Sequence, residues 1–281
     1  MRVSTSLFVI VLLAGGARSH AASPAAAPTP AMASAALPPG EDGAKERLNT
    51  SPRHGEIVAI DARGTPIRTW IVYPQRPDKA PVVVVIHEIF GLTDWIRAVA
   101  DQLAADGFIA VAPDLLSGKG PGGGGTDAYA SRDDVTKAVS GLAPDEVTAR
   151  LDAVRAYATA LPAASGKAAT IGFCWGGGTS FAYAAARPDV AAAVVYYGVP
   201  PADLGTLAAP VLGLYGGDDA RVTSTVEPTR TKAADLKKSY DPHVFPGAGH
   251  GFLRAQGQAA NLAAAREAWP LTTAFLRAHT R

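Results

Sequence analysis

Cysteine is almost missing from this chain: Cys174 is the only one. An intrachain disulfide framework is therefore excluded, although exported proteins usually carry cysteines in pairs. Charge of one sign is not in excess either. The formal net charge is +1, which gives no pull toward nucleic acid or an anionic membrane surface. No His/Asp/Glu cluster shows metal-ligand spacing, so neither a metal nor another cofactor is expected. The glycine-rich stretch Gly118–Gly125 (GKGPGGGG) lacks the Gly-Lys-Ser/Thr ending of a phosphate-binding loop and opens no clear strand-to-helix turn.

A membrane-spanning run is also wanting. Residues 7–14 (LFVIVLLA) are apolar but fall well short of the roughly 20 residues of a spanning helix. With Arg2 before them and Ser19-His20-Ala21 after them, they read as a secretory signal cleaved near residue 21. The expected protein is exported, periplasmic or secreted, with no stable membrane span after processing. Removing residues 1–21 takes away Arg2 and Arg18, so the 26 basic residues become 24 against 25 acidic ones. Residues 22–52 begin with an Ala/Pro/Ser-rich stretch that reads as a linker, and the folded domain is placed at 53–281.

What the chain does have is length, 281 residues, and apolar content, 48%. These suffice for a large core in one domain. Residues 56–60 and 67–73, split by Arg63-Gly64-Thr65-Pro66, predict an antiparallel hairpin. The β-branched run at 82–86 (VVVVI) predicts a central strand covered on both faces. Strands at 108–112, 168–173, 191–197, 211–215 and 243–245 alternate with helical spacing at 93–106, 144–161 and 258–278. That order implies an α/β fold: a mostly parallel sheet with helices on both faces and ligands at the carboxyl ends of the strands.

The chemistry concentrates at Gly172-Phe173-Cys174-Trp175-Gly176-Gly177. A strand running into Gly-x-Cys-x-Gly and then a helix has nucleophile-elbow spacing, with Cys in the place usually held by Ser. Glycines stand two residues before and after because side chains there would collide at so sharp a bend. The helix N-terminus favours thiolate, and the Trp175 N–H points where an oxyanion would form. Taken alone, Cys174 would by default be an inert, packed residue. Downstream, in the order acid then base, come Gly216-Gly217-Asp218-Asp219 and Gly247-Ala248-Gly249-His250, each at a strand end. His54, His243 and His279 lack a comparable glycine loop. Upstream, His87-Glu88-Ile89-Phe90-Gly91 follows the VVVV strand where such folds supply a second oxyanion donor, the Ile89 N–H. Glu88 could be no more than a solvated turn residue.

These segments, with Ala112-Pro113-Asp114-Leu115 and Gly251-Phe252, together resemble the dienelactone hydrolase family (carboxymethylenebutenolidases) over roughly residues 55–278. The resemblance implies an α/β-hydrolase fold. It also implies a Cys174/Asp219/His250 triad that cleaves an ester or lactone through a thioacyl-enzyme. Asp219 rather than Asp218 would be the acid, because the family's acid directly follows a Gly-Gly-x turn. It further implies that Glu88 pairs with a neutral resting thiol, and that Arg254 grips a substrate carboxylate. The family's second arginine has no match in Leu116-Ser117-Gly118-Lys119, which leaves Lys119 or Arg132 to replace it. The partner expected is a small-molecule ester or lactone, with no nucleic acid, and a monomer is favoured. Two other readings share the sequence: a general carboxylesterase, and a non-catalytic exported binding protein on the same fold.

Overall fold

The structure, a computed structural model, describes residues 36–281 together with Met1 and Val3. The expected signal therefore lies, apart from those two residues, outside the described residues. After a turn of 3-10 helix at Glu41–Gly43, α1 spans Ala44–Thr50. Of the expected linker at 22–52, residues 36–52 thus belong to the domain, while 22–35 lie outside the described residues. Arg47 Nε donates to Asp101 at 2.6 Å, Trp95 Nε1 donates to the Pro39 carbonyl at 3.0 Å, and Leu37 and Leu48 pack against the core. A segment tied by both apolar and charged contacts belongs to the domain it touches.

The hairpin forms as expected. β1 (Gly55–Ala62) and β2 (Thr65–Val72) pair antiparallel from Gly55 opposite Val72 to Ala62 opposite Thr65. Next come β3 (Ala80–Ile86), α2 (Asp94–Ala105) and β4 (Ile109–Pro113). They are followed by α3 (Arg132–Ser140), α4 (Pro144–Thr159), β5 (Ala164–Phe173) and α5 (Trp175–Ala186). The chain then runs through β6 (Ala193–Tyr196), β7 (Val211–Gly216), α6 (Ala220–Thr223) and α7 (Val226–Asp235). It ends with β8 (Tyr240–Phe245) and α8 (Ala259–His279).

Among the described residues the strands make one eight-stranded sheet in the order β1-β2-β4-β3-β5-β6-β7-β8. Pairing is antiparallel up to β2–β4 and parallel from there on. In β3, Val83 and Val85 face the cluster built with α2 and α8, while Val82, Val84 and Ile86 face the cluster built with α4. A strand so enclosed must be apolar at every position, which is why it reads as an unbroken valine run rather than an alternation. The carboxyl ends of β3, β5, β6, β7 and β8 therefore open on the same rim, and the segments carrying Glu88, Cys174, Asp219 and His250 sit there.

Candidate active site

Cys174 stands between β5 and α5 at φ 54°, ψ −115°, left-handed backbone that a residue with a side chain adopts only when its surroundings impose it. The glycines explain how. A Cβ on Gly172 would lie 1.9 Å from the Gly176 carbonyl oxygen, and one on Gly176 would lie 2.3 Å from that of His87. Only hydrogen at both positions lets strand, bend and helix pack so closely. The bend turns the sulfur toward the backbone N–H groups of Trp175 and Ile89, both of which favour the thiolate. These are the two expected oxyanion donors.

Burial works against them. Desolvation, followed by the nearby Glu88 carboxylate, pushes the Cys174 thiol above its ordinary value. The pull of the helix N-terminus and the two N–H groups is outweighed, and the balance favours the thiol form.

The Ile89 segment is held by His87, which is completely buried with its ring stacked on Trp175 at 5.6 Å between centroids. The Leu115 N–H donates to His87 Nε2 at 3.3 Å, so the proton sits on Nδ1, which donates to the Glu88 carbonyl at 2.7 Å. Burial holds the ring neutral by pushing its pKa down. Asp114 adds a second tie. It accepts from the Thr126 N–H and hydroxyl, both at 2.7 Å, while Thr126 Oγ1 accepts from the Leu92 N–H. The glycine loop 118–125 is thereby tethered to the oxyanion segment.

At the tips of β7 and β8, Asp219 Oδ2 lies 2.5 Å from His250 Nδ1. Asp219 is nearly buried, with 8% side-chain exposure. Asp218 instead donates its backbone N–H to the Ala248 carbonyl. The carboxylate that meets the imidazole is thus Asp219. Tyr197, just past β6, packs its ring edge-on against His250 at 5.1 Å and lines the same cavity as Cys174.

Glu88 is 3% exposed, and burial raises its carboxyl to about 7 against the pull of Arg254. Arg254 Nε stands 2.9 Å from Glu88 Oε2 with its N–H poorly aligned, and the guanidinium acts on Glu88 mainly as a charge, with a smaller hydrogen-bond contribution. Lys119 pairs with Glu146 at 2.8 Å. Arg132 is the cation beside Arg254: both guanidiniums lie over the Phe90 ring, at 3.7 and 5.4 Å from its centroid. Of the two alternatives for a second arginine, the structure brings Arg132 to this place.

A cavity of about 770 Å³ opens beside the sulfur, with Leu142, Val147, Leu151, Ala182 and Val199 in its wall and Arg221 at one side. Three residues near the site were missed in the sequence: Tyr197, Arg221 and Glu41. Tyr197 carried a faint signal as the last residue of an expected apolar strand. The other two had none, since an exposed arginine and a glutamate in a supposed linker look like ordinary surface. Among the described residues no group of His, Cys, Asp and Glu is arranged to hold a metal ion. Nor is any helix among them long and apolar enough to cross a membrane.

Sheet order, elbow and strand-tip loops together define an α/β-hydrolase. Residues 67–280 match the model of the dienelactone hydrolase family, and the chain belongs to that family, whose members act on ester and lactone bonds. It is 34% identical over 231 residues to a Salmonella typhimurium protein named "Putative carboxymethylenebutenolidase", covering 76% of this chain and 83% of the relative. A protein of the same name from Saccharolobus solfataricus is 28% identical over 252 residues, covering 78% and 97%. The crystal structure of a "Putative Dienelactone Hydrolase" from Klebsiella pneumoniae superposes with a TM-score of 0.71 at 30% identity, covering 80% of this chain and 98% of that one.

Proposed function

We propose that this hydrolase cleaves a small-molecule ester or lactone through a thioacyl-enzyme on Cys174, with His250 as base and Asp219 steadying it. The observation that carries this reading is the left-handed Cys174 at the tip of β5, its sulfur facing the N–H groups of Trp175 and Ile89. In the first half-reaction the thiol proton passes to His250. The sulfur adds to the carbonyl carbon, and the oxyanion is held by the two N–H groups. Collapse breaks the ester C–O bond, and the imidazolium returns its proton to the leaving alkoxide. A water that gives its proton to His250 then adds to the thioester, and expulsion of the sulfur releases the acid and restores the thiol. His250 Nδ1 donates to Asp219 throughout, which leaves Nε2 free for these transfers.

Glu88 keeps the sulfur in its thiol form until substrate arrives, which suits a lone cysteine in an exported protein, because the thiol is a far poorer target for oxidants than the thiolate. The protein acts after export, as a monomer and without a cofactor.

Cys174→Ala tested on a panel of aryl esters and lactones decides the matter. Turnover should fall by about a thousandfold or more, and substrate should protect the wild-type sulfur from iodoacetamide. Unchanged turnover would leave the fold as a binding scaffold.

A further inference from the structure

Arg254 and Arg132 already hold a carboxylate, and it belongs to the chain itself. Arg254 Nη1 donates to Glu41 Oε2 at 2.5 Å, and Arg132 Nη2 donates to Glu41 Oε1 at 3.1 Å. One oxygen goes to each arginine, so the carboxylate bridges the pair. The backbone is docked as well. The Glu41 N–H donates to the Arg254 carbonyl at 2.9 Å. Gly40 approaches so closely that a Cβ there would lie 3.2 Å from the same oxygen. Gln256 Nε2 donates to the Pro38 carbonyl at 3.0 Å. Glu41 is thus delivered by a fixed segment rather than by a wandering surface side chain.

The pair is part of the reactive rim. Arg254 also faces Glu88, the residue before the oxyanion donor Ile89, and both arginines lie over Phe90, the residue after it. Two guanidiniums beside an acyl-transfer centre would capture an anionic group on an incoming ester. Here that role is filled. Glu41 is partly exposed, so its attraction to the arginines is screened and modest. Its advantage is that it is tethered, which gives it a local concentration that a free carboxylate reaches only at millimolar levels or above. The cavity that remains open at the sulfur is walled mainly by Leu142, Val147, Leu151, Ala182 and Val199, with Asp145 and Arg221 also in its lining.

We infer that Glu41 is a specificity-determining residue: it occupies the Arg254–Arg132 pair as a built-in carboxylate, so the enzyme takes uncharged, apolar acyl esters and rejects those ending in a carboxylate. This deepens the proposed ester hydrolysis and rests on it.

The test compares para-nitrophenyl hexanoate with the para-nitrophenyl monoester of adipic acid, which ends in a carboxylate. Wild type should favour the hexanoate. Glu41→Gln should shift the ratio of kcat/KM values toward the adipate monoester by about tenfold or more, mainly through KM. Glu227→Gln, which removes a similar negative charge from an exposed pair with Arg230, should leave the ratio where it was. A ratio unmoved by Glu41→Gln, or moved as far by Glu227→Gln, overturns the inference. If neither protein hydrolyses either ester, it is the acyl-transfer reading that has failed, and calorimetric titration with adipate decides the role of Glu41. Binding to Glu41→Gln should then be about tenfold tighter than to wild type, and equal affinities overturn the inference.

Discussion

Glu88 and Arg254 face one another across 2.9 Å at the edge of the reactive sulfur, yet the arginine fails to bring the glutamate down to an ordinary carboxylate. Burial outweighs the ion pair, and the carboxyl titrates at about 7. Removing a carboxylate from water is costlier than one poorly aligned partner can repay.

A dependence of stability on pH follows. Folding raises Glu88 from its ordinary 4.5 to about 7, so between those values the folded state binds more protons than the unfolded one. Stability should therefore fall as pH rises from about 4.5 to 7, by up to about 3 kcal/mol. Denaturant melts at several pH values should show this loss in wild type and a flatter profile in Glu88→Gln.

The same carboxylate, once ionised, is the second cause of the raised thiol. Glu88→Gln should lower the Cys174 pKa and speed alkylation by iodoacetamide near pH 8. An alkylation profile superimposable on that of wild type would remove Glu88 from control of the sulfur.

Asp219→Asn should lower kcat by about 10³- to 10⁴-fold, since an amide no longer secures the Nδ1 proton and the wrong nitrogen faces the substrate. Asp218→Asn should have a small effect, because Asp218 engages Ala248 through its backbone. Steady-state kinetics on one aryl ester separates the two.

Tyr197 buries its hydroxyl without a hydrogen-bond partner among the described residues. Tyr197→Phe should therefore raise stability by about 1 kcal/mol or leave it unchanged, as an unsatisfied polar group is removed. A thermal melt reads this directly, and a parallel assay shows whether the hydroxyl serves the reaction.

Much of the fold was legible because the enclosed strands are so apolar: the run at 82–86 admits little else. His250 and the Asp218/Asp219 pair were legible because glycine loops at strand ends mark where side chains are presented, and only the family resemblance favoured Asp219 over Asp218. Residues 41–50 were not. The Ala/Pro-rich stretch before them sets a linker composition, and α1 is only seven residues long, too short for a helical period to register. What holds it is the distant Asp101, a tertiary partner with no local trace. The choice between Lys119 and Arg132 was open for the same reason. Each is a cation on a surface loop or helix, and only the path of the chain brings Arg132 over Phe90 and sends Lys119 to Glu146.

The twisted backbone at Cys174 means the protein is held below the stability its sheet could reach. Putting Cys174 at φ 54° sets about 1–3 kcal/mol of folding free energy against the rest of the domain. Glycine, the one residue at ease there, relieves that tension while removing the thiol. Cys174→Gly should thus outlast Cys174→Ala on heating, as compared in thermal melts.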